Sequence, residues 1–206
     1  MKKDFEKDIR IKNKQKFINF LTFFGFALSI FAFILFYRMG VFTHPAAMRA
    51  LVKSHGIIGP LVVIALQIIQ VVIPVLPGGF ISATSVLVFG SFMGFLYNYI
   101  GVVIGSIILF EMGRIYGTPF VKLFVPKKTY EKYVGKLSQG RAFDWFFMAM
   151  IFAPIAPDDA LVLLASQTKM TYRFFLTSII FGKIFGVAMY SFAWVYGLDW
   201  LQKLLN

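Results

Sequence analysis

The sequence predicts an all-α polytopic membrane protein. An N-terminal transmembrane helix precedes an inverted repeat, and each half of the repeat is a re-entrant helical hairpin followed by a transmembrane helix. Three observations predict this fold. Hydrophobic residues make up 59% of the 206 residues, including 26 Phe, whereas a soluble domain is about half apolar. Several apolar runs approach the roughly 20 residues that cross a bilayer. Two Pro-x-x-Pro interruptions break these runs at matching places, eighty residues apart.

The two interruptions are the strongest pointers to function. Broken backbone cannot face lipid, so each break must be buried in protein or line a wet cavity, and a re-entrant hairpin satisfies this requirement. Paired broken segments in the two halves of a membrane protein are typical of a transport site. The residues at the breaks are Pro74, Pro77, Gly78 and Gly79 in the first half and Pro154 and Pro157 in the second.

The N-terminal quarter divides into three segments. Residues 1–16 carry seven Lys and Arg against three acids, which predicts a basic cytoplasmic flank. Residues 17–37 are uncharged and long enough to span, and they are too long for a cleaved signal peptide. Residues 38–55 mix cations with apolar residues, as an interfacial amphipathic segment does. We interpret His44 and His55 in this segment as interfacial side chains, since their spacing fits no metal site.

The remaining chain is predicted to form repeat 1 at 56–112, a basic amphipathic loop at 113–142 and repeat 2 at 143–200. Seven Lys and Arg stand against one acid in the loop, so we expect it to be cytoplasmic and to rest on anionic headgroups. The first hairpin then enters from outside and the second from inside, and the C-terminus lies outside. The formal charge of +12 therefore bears on orientation and lipid rather than on nucleic acid. The absence of cysteine excludes thiol chemistry.

Charged residues at membrane depth are candidates for substrate binding or ion coupling, because such charges are costly unless they face a cavity or a partner. Asp158 and Asp159 follow the second break, where one of them is also suited to cap the next helix. Lys183 lies within the last apolar helix, and either it snorkels or it pairs with substrate or an Asp. The candidates are Asp158, Asp159, Lys183, Arg114 and Glu111.

Glu111 and Arg114 are three residues apart on a predicted helix, which favours an ion pair between them. The alternative is that Arg114 contacts phosphate, because a guanidinium matches phosphate oxygens in a bidentate manner. Polar residues in the first arm, Gln67 and Gln70, either bond a neighbouring helix or polarise a cavity, and the former is favoured.

Two Gly-x-x-x-Gly pairs are expected to bring helices into close contact. They are Gly101 with Gly105, and Gly182 with Gly186.

A set of ordered motifs covers about residues 64–197. The motifs are Pro74-x-x-Pro77-Gly78, Phe89-Gly90 with Gly94, Gly101-x-x-x-Gly105, Phe110-x-x-x-Arg114-x-x-Gly117, and Pro154-x-x-Pro157-Asp158 with Thr168 and Phe174. In their order and spacing these residues resemble the DedA superfamily, in its VTT-domain or SNARE-associated Golgi protein branch. The resemblance implies two opposed re-entrant hairpins and, for several members, flipping or scrambling of lipids such as undecaprenyl phosphate or phospholipids.

The chain departs from the common pattern of that family at two positions. Gly79 stands where many relatives have Glu, and Ile151 stands where many have Arg. A proton-coupled mechanism built on that Glu would need Asp158, Asp159 or Glu111 in its place.

The sequence therefore predicts a flippase or scramblase for an anionic lipid, in the plasma membrane of a bacterium, with its N-terminus in the cytoplasm. The headgroup would bind between the hairpins, and Asp158 or Asp159 would titrate or coordinate a coupling ion, a proton or sodium. Neither a cofactor nor a metal is expected, and the protein is not expected to be an enzyme. The alternatives are a scaffold that binds partners through the basic loop and an intramembrane lipid phosphatase that uses Asp158. The pattern leaves the oligomeric state open.

Overall fold

The computed structural model describes residues 56–73, 78–137, 140–153 and 157–205, together with three isolated positions nearer the N-terminus. Within these ranges the regular structure is entirely helical, as predicted. The helices are α1 (Ile58–Val72), α2 (Gly78–Phe89), α3 (Ser91–Phe124), α4 (Lys127–Leu137), α5 (Arg141–Phe152), α6 (Asp158–Ala165) and α7 (Tyr172–Leu205). The segments predicted at 1–16, 17–37 and 38–55 lie outside the described ranges.

The same order of elements occurs twice: a first arm, a break, a second arm and a long helix. The arms α1, α2, α5 and α6 have 15, 12, 12 and 8 residues. At 1.5 Å per residue each reaches about 12 to 22 Å, which is less than the roughly 30 Å hydrocarbon core. The long helices α3 and α7 have 34 residues each. No single arm is therefore long enough to cross a membrane, whereas both long helices are.

The two breaks are described in part. Pro74, Pro77 and Pro154 lie outside the described residues. Gly78 and Gly79 form the start of α2. Pro157 immediately precedes α6 and has the N-cap position of that helix. The second arms therefore begin directly after the Pro-x-x-Pro motifs, because a proline is compatible with the start of a helix but not with its interior.

Two stretches are apolar and long enough to be membrane spans, Ser91–Phe124 and Tyr172–Ala193. In each, 39% of the most apolar 18-residue window is buried inside the protein. Each of these helices therefore has a buried face and also apolar residues that are exposed, such as Phe92 and Phe185.

Helix α3 extends beyond residue 112, where repeat 1 was predicted to end, into the predicted loop at 113–142. It begins at Ser91, directly after Gly90, whose φ of 84° ends α2. It continues to Phe124 because the polar residues after Phe110 are compatible with a helix that leaves the apolar core. The helix is interrupted at Gly117, which has a φ of 67° and a ψ of −163°.

The side chain of Gln167 hydrogen-bonds to the helix on both sides of the interruption at Gly117. Its Nε2 donates to the carbonyl of Gly113 at 2.8 Å, and its Oε1 accepts from the hydroxyl of Thr118 at 3.0 Å. One amide from the segment after α6 therefore bridges both sides of the kink.

The second arms connect the two halves. The first arms pack against the long helix of their own half, α1 on α3 and α5 on α7. The second arms also reach the other half, because α2 packs on α7 and α6 packs on α3. The long helices α3 and α7 pack on each other as well. This arrangement brings the starts of α2 and α6 toward the junction between the halves.

Glycines allow the first arms to approach the long helices closely. A Cβ added at Gly101 would lie 2.6 Å from Cβ of Gln67, and one at Gly182 would lie 2.6 Å from Cγ2 of Ile151. Gly105 meets Val71 on α1 in the same manner. The prediction of close packing is confirmed for these three glycines. It is wrong for Gly186, where an added Cβ meets no atom within 4 Å.

The core that holds the second half in place is rich in phenylalanine. The rings of Phe110 and Phe175 stack with centroids 3.8 Å apart. Phe143 and Phe147 on α5 are fully buried beside them. All five residues from 161 to 165 in α6 are buried, so the C-terminal part of this short arm is enclosed by protein. The first three residues of α6 are only partly buried.

Helix α4 forms the centre of the basic loop and is amphipathic, as predicted. Its Tyr133 is buried, with its ring 5.6 Å from that of Phe146 on α5. Lys127 and Glu131 are exposed and form an ion pair at 3.7 Å. The apolar face therefore contacts α5 and α6 rather than lipid. Contact of the exposed lysine face with anionic headgroups stays a prediction.

Candidate functional site

A cavity with a volume of about 230 Å³ lies at the junction between the two halves. Every described helix except α4 contributes to it or borders it. Its lining residues are Gln67, Gln70, Val71, Ser82, Val102, Ile151, Ala153, Asp158, Asp159, Lys183, Gly186, Val187 and Tyr190. Since a water molecule takes about 30 Å³ in the liquid, the cavity has room for several waters or for a small polar group.

Lys183 is the centre of charge in this cavity. It lies in the middle of α7 and is only 3% exposed. Its Nζ is 2.5 Å from Oδ2 of Asp158 and 3.6 Å from Oδ1 of Asp159. The alternative in which Lys183 snorkels to the surface is therefore wrong, and pairing with an Asp is confirmed. A buried ammonium group without such a partner would be strongly unfavourable.

The start of α6 positions the two carboxylates. Pro157 provides no side-chain cap for this helix. Asp158 Oδ1 instead accepts a hydrogen bond from the backbone N–H of Asp159 at 2.9 Å, while its Oδ2 binds Lys183. Pro157 has the N-cap position, so the prediction that an Asp caps this helix is wrong. Asp158 is the first helical residue, where it accepts from one free N–H and pairs with a cation. The positive end of the helix dipole also favours carboxylates there.

Two oxygen atoms of cavity-lining residues are buried without a hydrogen bond. They are Oδ1 of Asp159 and Oε1 of Gln67. The 3.6 Å separation between Asp159 Oδ1 and Lys183 Nζ is an ion-pair distance, longer than a normal hydrogen bond. The amide nitrogen of Gln67 donates to Gln70 Oε1 at 3.3 Å. Both atoms are acceptors, and the donors in the same lining are the side chains of Lys183, Gln70, Ser82 and Tyr190.

The hydrogen bond of Gln67 differs from the one that the sequence predicted. Gln67 and Gln70 bond each other within α1, whereas a bond to a neighbouring helix was favoured. The reason is the close approach of Gly101, which packs against the Cβ and Cγ of Gln67 and leaves the amide to extend along α1 into the cavity. Polarising the cavity is therefore the role that the geometry supports.

Arg114 and Glu111 are not brought to the cavity, since neither is among its lining residues. The guanidinium of Arg114 donates to the backbone carbonyl of Met170 and lies 4.5 Å above the ring of Phe110. Among the described ion pairs none joins Arg114 to Glu111, so the predicted pair is wrong. The carbonyl and the aromatic ring direct Arg114 toward the start of α7 instead.

Sequence reasoning missed two polar residues of the site, Ser82 and Tyr190. Tyr190 follows Lys183 by seven residues, which is two helical turns, so helical periodicity places both on one face of α7. Ser82 lies four residues into α2 and shares a face with the helix start at Gly78. The signal for Tyr190 was therefore present, whereas Ser82 needed the packing of α2 on α7.

Residues 76–196 match the family model described as the VTT domain, which is more than half of the chain. The chain is also 26% identical to the uncharacterized membrane protein YhjE of Bacillus subtilis (strain 168) over 142 residues, which are 69% of this chain and 68% of that protein. No solved structure matches the chain. The matched range contains both second arms, most of both long helices and all three charged groups of the cavity.

Proposed function

The chain belongs to the VTT-domain family of membrane proteins in the DedA superfamily, and we propose that it is a flippase or scramblase. It moves a phosphate-bearing membrane lipid across the bilayer and passes the headgroup through the cavity between its two halves. The observation that carries this proposal is the buried cluster of Lys183, Asp158 and Asp159 in a cavity lined by both halves.

A structural role alone is a poor account of this cluster. Replacing a buried ion pair by apolar residues of similar volume is often neutral or stabilising. Ionisable residues within membrane segments face cavities or partners and mark substrate or ion pathways. A polar cavity of this kind gives a charged headgroup a route through the hydrocarbon, while the acyl chains of the lipid stay in the bilayer.

Lys183 provides the cation for the lipid phosphate. Because its ammonium group already binds Asp158, the phosphate competes with a carboxylate for the same donors. A proton or sodium ion taken up by Asp158 or Asp159 weakens that competition and couples the ion to headgroup binding. The starts of α2 and α6 add partial positive charge near the same place. Every step is binding and release, so we propose no enzymatic reaction.

The pairs α1–α2 and α5–α6 act as re-entrant hairpins that enter from opposite sides of the bilayer. The short arms and the packing of each second arm on the opposite long helix support this topology. Because the native sequence has no cysteine, single cysteines report topology cleanly. Cysteines at Ser54 and Leu204 are expected to react with an impermeant reagent from outside, and one at Ser138 only after permeabilisation. Labelling of Ser138 from outside would rule out the inverted topology.

Transport is tested with purified full-length protein in vesicles that contain a phospholipid labelled on its acyl chain. Quenching by external dithionite measures how fast inner-leaflet lipid reaches the outside. Wild-type protein and Lys127→Met are expected to accelerate quenching over protein-free vesicles, and Lys183→Met is not. Lys127 is the matched control, because its side chain is 84% exposed and pairs with Glu131 outside the cavity. Wild-type vesicles that behave like protein-free ones would refute the function, and chemically altered lipid would indicate an enzyme.

A further inference from the structure

The residues between α6 and α7, 166–171, form a connector that is bonded to the long helix of the other half. Nε2 of its Gln167 donates to the carbonyl of Gly113 at 2.8 Å, and its Oε1 accepts from the hydroxyl of Thr118 at 3.0 Å. Gly113 and Thr118 lie on α3, so both hydrogen bonds cross from the second half to the first. Gln167 is partly buried and does not line the cavity.

Close packing fixes the orientation of the Gln167 amide. A Cβ added at Gly113 would collide with Oγ of Ser166, so a glycine is needed for the connector to lie this close to α3. Ser166 donates to the carbonyl of Leu163 at 2.6 Å and accepts from Nε2 of Gln167 at 2.9 Å. The amide is therefore bonded on the side of the connector as well as on the side of α3.

Helix α6 joins this attachment to the ionic cluster of the cavity. The helix has eight residues, which is about 12 Å, and its residues 161–165 are all buried. The connector follows its last residue, and Asp158 at its start lies 2.5 Å from Lys183. Closely packed interiors transmit displacements rather than absorb them. The attachment at one end of α6 therefore bears on the position of the carboxylates at the other end.

The second arm of the neutral half is attached in a different way. In α2, Ser85 donates from Oγ to the carbonyl of Gly94 at 3.1 Å. Asn98 donates from Nδ2 to the carbonyl of Ser82 at 3.3 Å. These bonds join α2 to α3, the long helix of its own half, and Gly90 alone separates the two helices. The arm that carries the carboxylates is thus the one whose connector is bonded to the opposite long helix.

On the premise that the proposed function is right, we propose that Gln167 is a positioning residue for the ionic cluster. By joining the end of α6 to α3, its side chain holds the two carboxylates of Asp158 and Asp159 at their distance from Lys183. Gln167 touches neither the cavity nor the headgroup, and it acts through α6. Loss of its bonds to α3 lets α6 shift, and the carboxylates shift with it.

Variants of the connector test this role in the vesicle assay. Gln167→Met keeps the length of the side chain without its hydrogen bonds and is expected to slow lipid movement per folded protein about two- to tenfold, the equivalent of one hydrogen bond. Thr118→Val is expected to act in the same direction, and Thr118→Ser, which keeps the hydroxyl, to move lipid at close to the wild-type rate. The control is Tyr99→Phe, which removes a bond from α3 to the carbonyl of Ile180 on α7 without involving α6. Wild-type rates in folded Gln167→Met and Thr118→Val would refute the positioning role.

Thermal unfolding of detergent-purified protein tests the same role without transport. The fall in thermal midpoint caused by Lys183→Met is measured in the wild-type, Gln167→Met and Tyr99→Phe backgrounds. Distant sites normally have additive effects, so a side chain that only adds stability leaves this fall unchanged. We expect a clearly smaller fall in the Gln167→Met background, because carboxylates that are no longer held in place can turn toward solvent. Equal falls in all three backgrounds would contradict the proposal.

Failure of the transport function and failure of the positioning role are separate outcomes. Wild-type vesicles that move lipid no faster than protein-free ones refute the function, and the thermal comparison then decides the role of Gln167. Transport by the wild type, with an unchanged rate in Gln167→Met and equal thermal falls, refutes the positioning role and leaves the function standing. Thr118→Val replaces Gln167→Met in both measurements where the latter does not fold.

Discussion

In the first half of the molecule Gly78 and Gly79 follow the Pro-x-x-Pro break, whereas Asp158 and Asp159 follow it in the second half. The two Gly-x-x-x-Gly pairs differ in the same way. The first glycine is followed by the neutral Val102 in α3 and by the charged Lys183 in α7. Val102 and Lys183 both line the cavity. The halves therefore repeat their architecture without repeating their chemistry.

The first half contributes a different kind of surface to the cavity. Its lining residues are neutral, with amides from Gln67 and Gln70 and a hydroxyl from Ser82. All three formal charges of the lining come from α6 and α7 in the second half. The comparison shows that a repeated fold allows one copy to hold the ionic groups while the other supplies packing and neutral acceptors.

The largest effect on transport is expected where the cavity lining described above loses Lys183, its one cation. Lys183→Met leaves two carboxylates without a partner and is expected to lower stability by about 1 to 3 kcal/mol. The loss is smaller than for a fully buried pair because the side chains of Asp158 and Asp159 are 41% and 35% exposed. Val102→Met, at the corresponding position of the neutral half, is the control. Thermal unfolding in detergent measures the stability of both variants. Equal stability would contradict the difference described between the two halves.

A smaller effect on folding is expected when Asp158 and Asp159 are neutralised one at a time. Asp158→Asn keeps an oxygen for the N–H of Asp159, and Asp159→Asn keeps the size of its side chain, so both are expected to fold at normal yield. At least one is expected to lose most of its transport rate, because the charge is gone. Folded yield from size exclusion and the lipid assay together check this. Full transport by both Asn variants would remove the acidic pair from the account.

A difference in packing alone separates the two glycines of α7, Gly182 and Gly186. Gly182→Ala brings a Cβ within 2.6 Å of Ile151 and is expected to destabilise by about 1 to 3 kcal/mol through overpacking. Gly186→Ala meets no atom within 4 Å and is expected to be neutral or to gain up to about 1 kcal/mol from helix propensity. Thermal midpoints of the two variants give the comparison. A Gly186→Ala variant less stable than Gly182→Ala would contradict the packing described for α5 and α7.

Local rules predicted much of this molecule. The breaks follow from proline chemistry, and the second arms begin directly after the motifs that carry it. The pairing of Lys183 with an Asp follows from the cost of an isolated charge in a membrane. These inferences needed only the residue, its neighbours and the apolar surroundings.

Other features depend on residues far away in the chain and could not be predicted. Arg114 binds the carbonyl of Met170, 56 residues later, rather than Glu111 on its own helix. The kink at Gly117 is bridged by Gln167 from a different element. The orientation of the Gln67 amide is set by Gly101 on α3. Each of these features depends on which helices contact each other, and the residues near a position in the sequence do not show this.

The central claim is that the charges of the second half serve lipid transport rather than folding. A variant that carries Asp158→Gly, Asp159→Gly and Lys183→Val gives the second half the residues of the first and leaves no charge unpaired. It is expected to fold at near wild-type yield, because removing a whole ionic cluster costs less than leaving one member alone. Its rate of lipid movement in vesicles is the decisive measurement. The folded variant is expected to move lipid no faster than protein-free vesicles do, and a wild-type rate would contradict the central claim.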